Sequence, residues 1–217
     1  MVASFHEECL ERAASLWRAI LAHPFLEETA ACRIPDAVFA NWLKQDYLFV
    51  QEGIRFICAL AARAPHALRR PLASAIPALE AELDLFAGMA REKQIELEGV
   101  RMAPTCHAYV QFLHATAWQA SFEEGFTLLY AAEKAYLDSW RRVRDKLAAV
   151  SPWQPFIERW AGEEFSRWVA WLEATLDELA AAAGASARER MAEIFLLTAR
   201  YELRFWEMAY RGEDWPE

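Results

Sequence analysis

Apolar residues recur along this chain at alternating spacings of three and four, the rhythm that lines up one face of a helix. Residues 4 to 23 predict a first helix, with Ser4 as N-cap, Leu10, Ala13, Leu16, Trp17 and Ile20 at helical spacing, and Pro24 as its stop. A polar connection then runs to Ile34-Pro35, where proline suits the first position of a long second helix reaching about Arg63. Prolines at 65, 71 and 77 divide the next stretch into a short helix and one from about Pro77 to Lys93. Residues 95 to 104 read as a loop, and Pro104 to Ala120 as a helix with Tyr109, Phe112, Leu113 and Thr116 on one face. Ser121 and Glu124 have the form of a capping box opening a helix to about Leu147. After Ser151-Pro152 come a short Trp-rich helix through Trp160 and another from about Glu163 to Ala182. Gly184 punctuates, and Ser186 with Glu189 forms a second capping box for a final helix that frays near Gly212.

Three of the long stripes carry an acid at their centre. They are Phe39, Trp42, Asp46, Phe49, Gly53; Phe126, Leu129, Glu133, Tyr136, Trp140; and Phe195, Thr198, Glu202, Phe205, Ala209. Either such an acid lies at the edge of its stripe, paired with arginine or in solvent, or it is buried. Burial favours the protonated form and suits a group that gives and takes protons. If the three faces meet, the acids converge inside a helical bundle around a small, partly aromatic ligand. Tyr47, Tyr136, Tyr201 and Tyr109 accompany them, and a phenol within reach of a carboxylate can orient it and tune its proton affinity.

Composition narrows the class. The 217 residues suit one domain, residues 1 to 217, and no linker marks a boundary. With 55% hydrophobic residues, ten Trp and only seven Gly, the expected fold class is all-α, a single-domain helical bundle. A net charge of −9 argues against nucleic-acid and anionic-membrane partners, because Arg69-Arg70 and the Arg141 to Lys146 cluster are short. Cys9, Cys32, Cys58 and Cys106 form no Cys-x-x-Cys pair, which fits a reducing compartment. Charged residues interrupt the first apolar stretch, and no run of eighteen apolar residues follows, so a cytoplasmic location is expected.

Other chemistries find little support. None of the five histidines has Glu three residues before it, as di-iron bundles require, and His107 with His114 makes a weak site. No metal or cofactor is expected. There is no Gly-x-Ser-x-Gly and no Gly-rich phosphate loop. Cys106, at the start of the Tyr109 helix, is either a nucleophile activated by the helix N-terminus or an inert buried thiol.

The blocks Trp17 to Phe25, Trp42-Leu-Lys-Gln-Asp-Tyr-Leu-Phe49, Pro104-Thr-Cys-His-Ala-Tyr109, Trp160-Ala-Gly-Glu-Glu-Phe165 and Glu202-Leu-Arg-Phe-Trp-Glu-Met-Ala-Tyr210 together resemble successive landmarks of the thiaminase II (TenA) family. The resemblance implies a haem-oxygenase-like helical fold without haem, a homo-oligomer (dimer or tetramer), and thiamin salvage. In that chemistry an amine is released by hydrolysis from the aminomethyl group of an aminopyrimidine, or a formyl group from its formylamino relative. It further implies that Asp46 binds the pyrimidine's amino group and ring nitrogen and that Tyr47 lines the ring. Tyr109 hydrogen-bonds near it, Phe49, Tyr136 and Trp160 complete the lining, and Glu202 is the proton shuttle. The better-known branch has a cysteine four residues before a tyrosine on the fifth helix. Here Ala132 stands four before Tyr136, next to Glu133, and Trp160 replaces a tyrosine, so the chain resembles the branch that carries glutamate in place of cysteine. Glu133 then assists Glu202, and a covalent step would need Cys106. The competing reading is a non-catalytic helical protein binding a small heterocycle, or an enzyme of this fold acting on another small amine.

Overall fold

The computed structural model describes residues 4–216. Among them there are eleven α-helical segments and no strand: α1 Phe5–Arg12, α2 Ala14–Leu21, α3 Pro24–Ala30, α4 Asp36–Arg63, α5 His66–Ala73, α6 Ile76–Lys93, α7 Pro104–Gln119, α8 Phe122–Asp145, α9 Gln154–Ala161, α10 Glu163–Ala182 and α11 Ala185–Arg211. The all-α class expected from the sequence is what forms.

Most of the predicted boundaries hold, and the exceptions have local causes. Helical bonding carries through Ala13, which donates to Cys9 O at 3.0 Å and accepts from Trp17 N at 2.9 Å. The backbone there nevertheless opens to φ −92°, ψ 6°, so the expected first helix becomes α1 and α2 around a fully buried alanine. Pro24 does more than stop α2. It starts α3, whose first turn is capped by His23 Nδ1 accepting from Phe25 N–H at 3.2 Å, and the segment expected to be a polar connection buries Phe25, Leu26, Thr29 and Ala30. The Ser121–Glu124 capping box forms as predicted, with Glu124 N–H donating to Ser121 Oγ at 3.2 Å and Ser121 N–H donating to Glu124 Oε2 at 3.4 Å. The one expected at Ser186 does not. Glu189 instead receives both arms of the Arg12 guanidinium at 3.0 and 2.5 Å, and Ser186 Oγ accepts from Arg190 at 3.0 Å.

Contacts divide the chain into two compact units. One comprises the chain up to Ile34 together with Phe126–Trp206, and the other Pro35–Gly125 together with the chain from Glu207 onward. In the second unit α4 is the organiser, with α5, α6 and α7 packed against it. Phe39, Trp42, Leu43, Phe56 and Leu60 on α4 are buried, as are Leu72 of α5, Phe86 of α6 and Leu113 of α7. Arg63, in the last turn of α4, donates to the carbonyls of Ala117 and Ala120 and so satisfies acceptors at the C-terminal end of α7 that no helical bond can reach.

In the first unit α1 packs on α2 and α10, and α10 on α9. Arg188 bonds Glu8 at 2.8 Å, His6 Nδ1 lies 2.7 Å from Asp177, and Tyr130 O–H donates to Glu173 at 3.0 Å. Trp17 stacks on Phe195 at 5.6 Å while its indole N–H donates to Asp138 at 3.0 Å, an acid also held by Lys134. Gly162 joins α9 to α10 in close quarters, since a Cβ there would run into the carbonyl oxygen of Glu158. The four thiols are unpaired: Cys9 and Cys106 are buried, Cys32 is half-buried and Cys58 exposed. No helix among the described residues is long and apolar enough to cross a membrane.

Candidate active site

The acids separate by environment. Asp46 and Glu202 are each 1% exposed, whereas Glu133 is only half-buried. α8 buries Leu128, Tyr130, Ala131, Ala135 and Ser139 as well as Phe126, Leu129 and Trp140, so apolar residues surround more of this helix than one stripe, and the row containing Glu133 is not its most buried line. The expectation of an acid centred in a buried face therefore holds for α4 and α11 and fails for α8.

In the second unit, Asp46 sits on α4 beside Gln45, which is itself buried. Gln45 Nε2 donates to Arg101 O at 3.1 Å and Gln45 Oε1 accepts from Ala103 N–H at 2.8 Å. One turn earlier, Asn41 Nδ2 donates to the carbonyls of Met208 and Ala209 at 3.1 and 2.9 Å. Phe49 packs on Tyr109 of α7, ring centroids 4.8 Å apart, and Tyr109 continues to Phe112 at 6.5 Å. Tyr47 turns to Phe86 of α6 at 6.3 Å. Among the residues expected to bind substrate, Phe49 and Tyr109 are thus brought together, and Tyr47 has a different neighbour.

Cys106 falls in the first turn of α7, as expected, but its thiol is pushed well above the ordinary range, first by burial and then by the negative charge of Asp46. That is the reverse of the lowering a helix N-terminus gives an exposed thiol. Its Sγ points to the Gln45 carbonyl at 3.6 Å.

In the first unit, Tyr136 lies 5.5 Å from Trp160, edge to face, and is stacked at 5.5 Å on Trp206. Trp160 also stacks on Trp140 at 5.3 Å and on Phe156 at 5.6 Å, and Phe25 closes on Trp206 at 5.0 Å. Trp206 follows Glu202 by one helical turn, so the glutamate and the middle of this aromatic cluster share a face of α11. The indole N–H of Trp206 is buried without a hydrogen-bond acceptor. Three participants named above only as members of a stripe or motif block acquire a place here. Trp206 and Trp140 had a detectable signal, being aromatics one turn beyond Glu202 and Tyr136, whereas Gln45 had none, because its partners lie far away in sequence. Among the described residues no group of three His, Cys, Asp or Glu side chains could hold a metal ion.

Comparison with known proteins identifies the family and the fold. Residues 10–212 match the TENA/THI-4/PQQC family. An aminopyrimidine aminohydrolase of Bacillus subtilis strain 168 is 28% identical over 222 residues, covering 98% of this chain and 92% of the relative. An aminopyrimidine aminohydrolase of Helicobacter pylori is 26% identical, covering 93% and 96%. The crystal structure of a TenA homologue from Pyrococcus furiosus superposes with a TM-score of 0.93 at 39% identity, covering 95% of this chain and 100% of that one. A Shewanella denitrificans domain described as having a haem-oxygenase-like fold superposes with a TM-score of 0.77 at 10% identity, covering 97% and 94%, a likeness of fold alone. With that span matched, on a haem-oxygenase-like helical fold, the chain belongs to the TENA/THI-4/PQQC family.

Proposed function

We propose that this protein is an aminopyrimidine aminohydrolase serving thiamin salvage. The observation that carries the reading is the near-complete alignment with relatives of that name, on a chain whose sequence blocks around Asp46 and Glu202 enclose two carboxylates 1% exposed. Water and an aminomethyl-aminopyrimidine give the hydroxymethyl-pyrimidine and ammonia. With the formylamino compound, water releases formate and leaves the amine.

In this reading Asp46 receives the pyrimidine's amino group and pairs with its ring nitrogen, while Tyr47, Phe49, Tyr109, Tyr136 and Trp160 line the ring. Glu202 moves the proton: protonated, it gives it to the departing nitrogen; ionised, it takes one from the attacking water. Glu133, half-buried and therefore nearer to water, helps orient that nucleophile. Unequal environments are what let two carboxylates divide acid and base work. The protonated, buried thiol of Cys106 favours direct hydrolysis over a covalent intermediate, in keeping with the branch that lacks the pocket cysteine.

The test is to incubate purified protein separately with aminomethyl-aminopyrimidine, formylaminomethyl-aminopyrimidine and thiamin, and to follow products by mass spectrometry. Hydroxymethyl-pyrimidine or deformylated amine is the expected product. Saturable binding without any product would support the non-catalytic alternative.

A further inference from the structure

The segment leading into α7 is fastened from two directions. From α4, the buried Gln45 amide uses both its ends, Nε2 to Arg101 O and Oε1 from Ala103 N–H, and its own backbone carbonyl faces the Cys106 thiol. Ala103 is the N-cap of α7, so the grip falls where the helix begins. From the C-terminal tail, Glu213 accepts from Thr105 N–H at 2.8 Å, Trp215 Nε1 donates to Met102 O at 2.9 Å, and the Trp215 ring meets His107 edge to face at 5.5 Å. Residues 101, 102, 103, 105, 106 and 107 are therefore each tied by one side or the other.

The geometry points to Gln45 as a positioning residue that fixes Tyr109 at its working distance from Asp46, with the Glu213–Trp215 tail as an outer brace. This rests on the roles given to Asp46 and Tyr109 under the proposed function. Gln45 immediately precedes Asp46, and one turn beyond Gln45 on α4, Phe49 packs on Tyr109, so one short stretch of α4 holds the start of α7 at two points. The residue type matters. A planar amide offers a donor and an acceptor together, and no apolar group of equal size can hold a carbonyl and an N–H at once. Methionine would keep the volume and release both. α7 would remain a helix, since Arg63 still caps its far end, but its first turn would drift relative to Asp46.

The experiment measures KM and kcat on aminomethyl-aminopyrimidine for the wild type, Gln45→Met, the double variant Glu213→Ala/Trp215→Ala, and Arg63→Met as control, with amide hydrogen exchange over residues 101–109. Gln45→Met is expected to raise KM about tenfold, corresponding to loss of one good hydrogen bond's worth of orientation, with kcat held within about threefold. Exchange at Ala103 and Thr105 should accelerate. The tail variant, altered only at the surface, is expected to fold normally and raise KM about threefold, so it decides the matter even if Gln45→Met is too unstable to assay. Arg63→Met should leave KM unchanged. Wild-type KM in the tail variant, or in Gln45→Met where it can be assayed, overturns the inference, and so does an equal rise in Arg63→Met, which would mean that any loosening of α7 suffices. A wild-type protein that neither binds nor converts the compound overturns the proposed function, and this inference with it.

Discussion

Asp46 and Glu202 are equally buried yet live in contrasting neighbourhoods. Asp46 shares its face with the rings of Phe39, Trp42 and Phe49, but the polar side chains beside it are committed to directed bonds: Asn41 to two carbonyls, Gln45 to a carbonyl and an amide, Cys106 towards a backbone oxygen. On the face of α11 that carries Glu202, Phe195, Phe205 and Trp206 are apolar and buried, and the hydroxyl of Thr198 turns back to Ile194 O at 2.8 Å. A carboxylate beside fixed polar groups is suited to holding a ligand in a single orientation. One among aromatic rings, one turn from Trp206, is suited to passing a proton. Two identical exposures thus support two different proposed roles.

The comparison breaks most visibly at Glu202. Glu202→Gln keeps shape and removes the titratable proton, so kcat should fall by about 10²–10⁴, the usual worth of a general acid or base, while calorimetry still detects pyrimidine binding. Full turnover by this variant would remove Glu202 from the chemistry. Trp206→Ala should cost about 3–5 kcal/mol of stability in a denaturant titration, because the ring is completely buried between Phe25 and Tyr136. Trp206→Phe should cost much less, since it also deletes a buried N–H that has no acceptor.

At the other acid, Asp46→Asn should weaken binding by about 10- to 100-fold, the range for a hydrogen bond to a charged group, with a smaller effect on saturated turnover. It should also lower the titration point of the Cys106 thiol, because Asp46 is one of the two influences raising it; thiolate absorbance followed against pH reads this. A thiol in the first unit gives a matched contrast. Burial pushes Cys9 up to about 12, with Arg12 opposing. Since its folded value lies above the unfolded one, the stability it contributes is complete below about pH 8.5 and is lost as pH rises towards 12. The protein should therefore become less stable through that window, with a slope from this thiol of at most about 1.4 kcal/mol per pH unit. Cys9→Ala should flatten the curve. Smallest of all, Cys106→Ala should change kcat by less than about twofold if hydrolysis is direct, whereas a covalent route predicts a loss of about 10²-fold or more.

What was readable in the sequence follows from the range of the interactions involved. Asp46 and Glu202 stood out because 3-4-3-4 rows report burial whenever a helix has one apolar face, as α4 and α11 do around those residues. Glu133 heads a similar row but is only half-buried, because the innermost line of α8 runs through Leu128, Ala131, Ala135 and Ser139. Pro24 carries two signals at once, the end of α2 and, because a residue without an N–H loses nothing at the first position of a helix, the start of α3. The failed box at Ser186 has a different origin. α11 begins at Ala185, so Ser186 lies inside the helix instead of capping it, and Glu189 is held by Arg12 from 177 residues away. Gln45 was hidden for the same reason, with partners 56 and 58 residues distant. The aromatic cluster around Trp206 is half visible in the sequence: its members stand there as single residues, and only the fold stacks them.

The sorting of the thiols turns the protein into its own reporter. Cys58 is exposed on α4, three turns beyond Asp46, roughly 18 Å along the helix at 1.5 Å per residue. A maleimide dye should attach there first and more slowly at the half-buried Cys32, leaving Cys9 and Cys106 silent until the chain opens. Fluorescence from that dye would then register pyrimidine arriving near Asp46, and the later appearance of two more reactive sulfurs would time unfolding in the same cuvette.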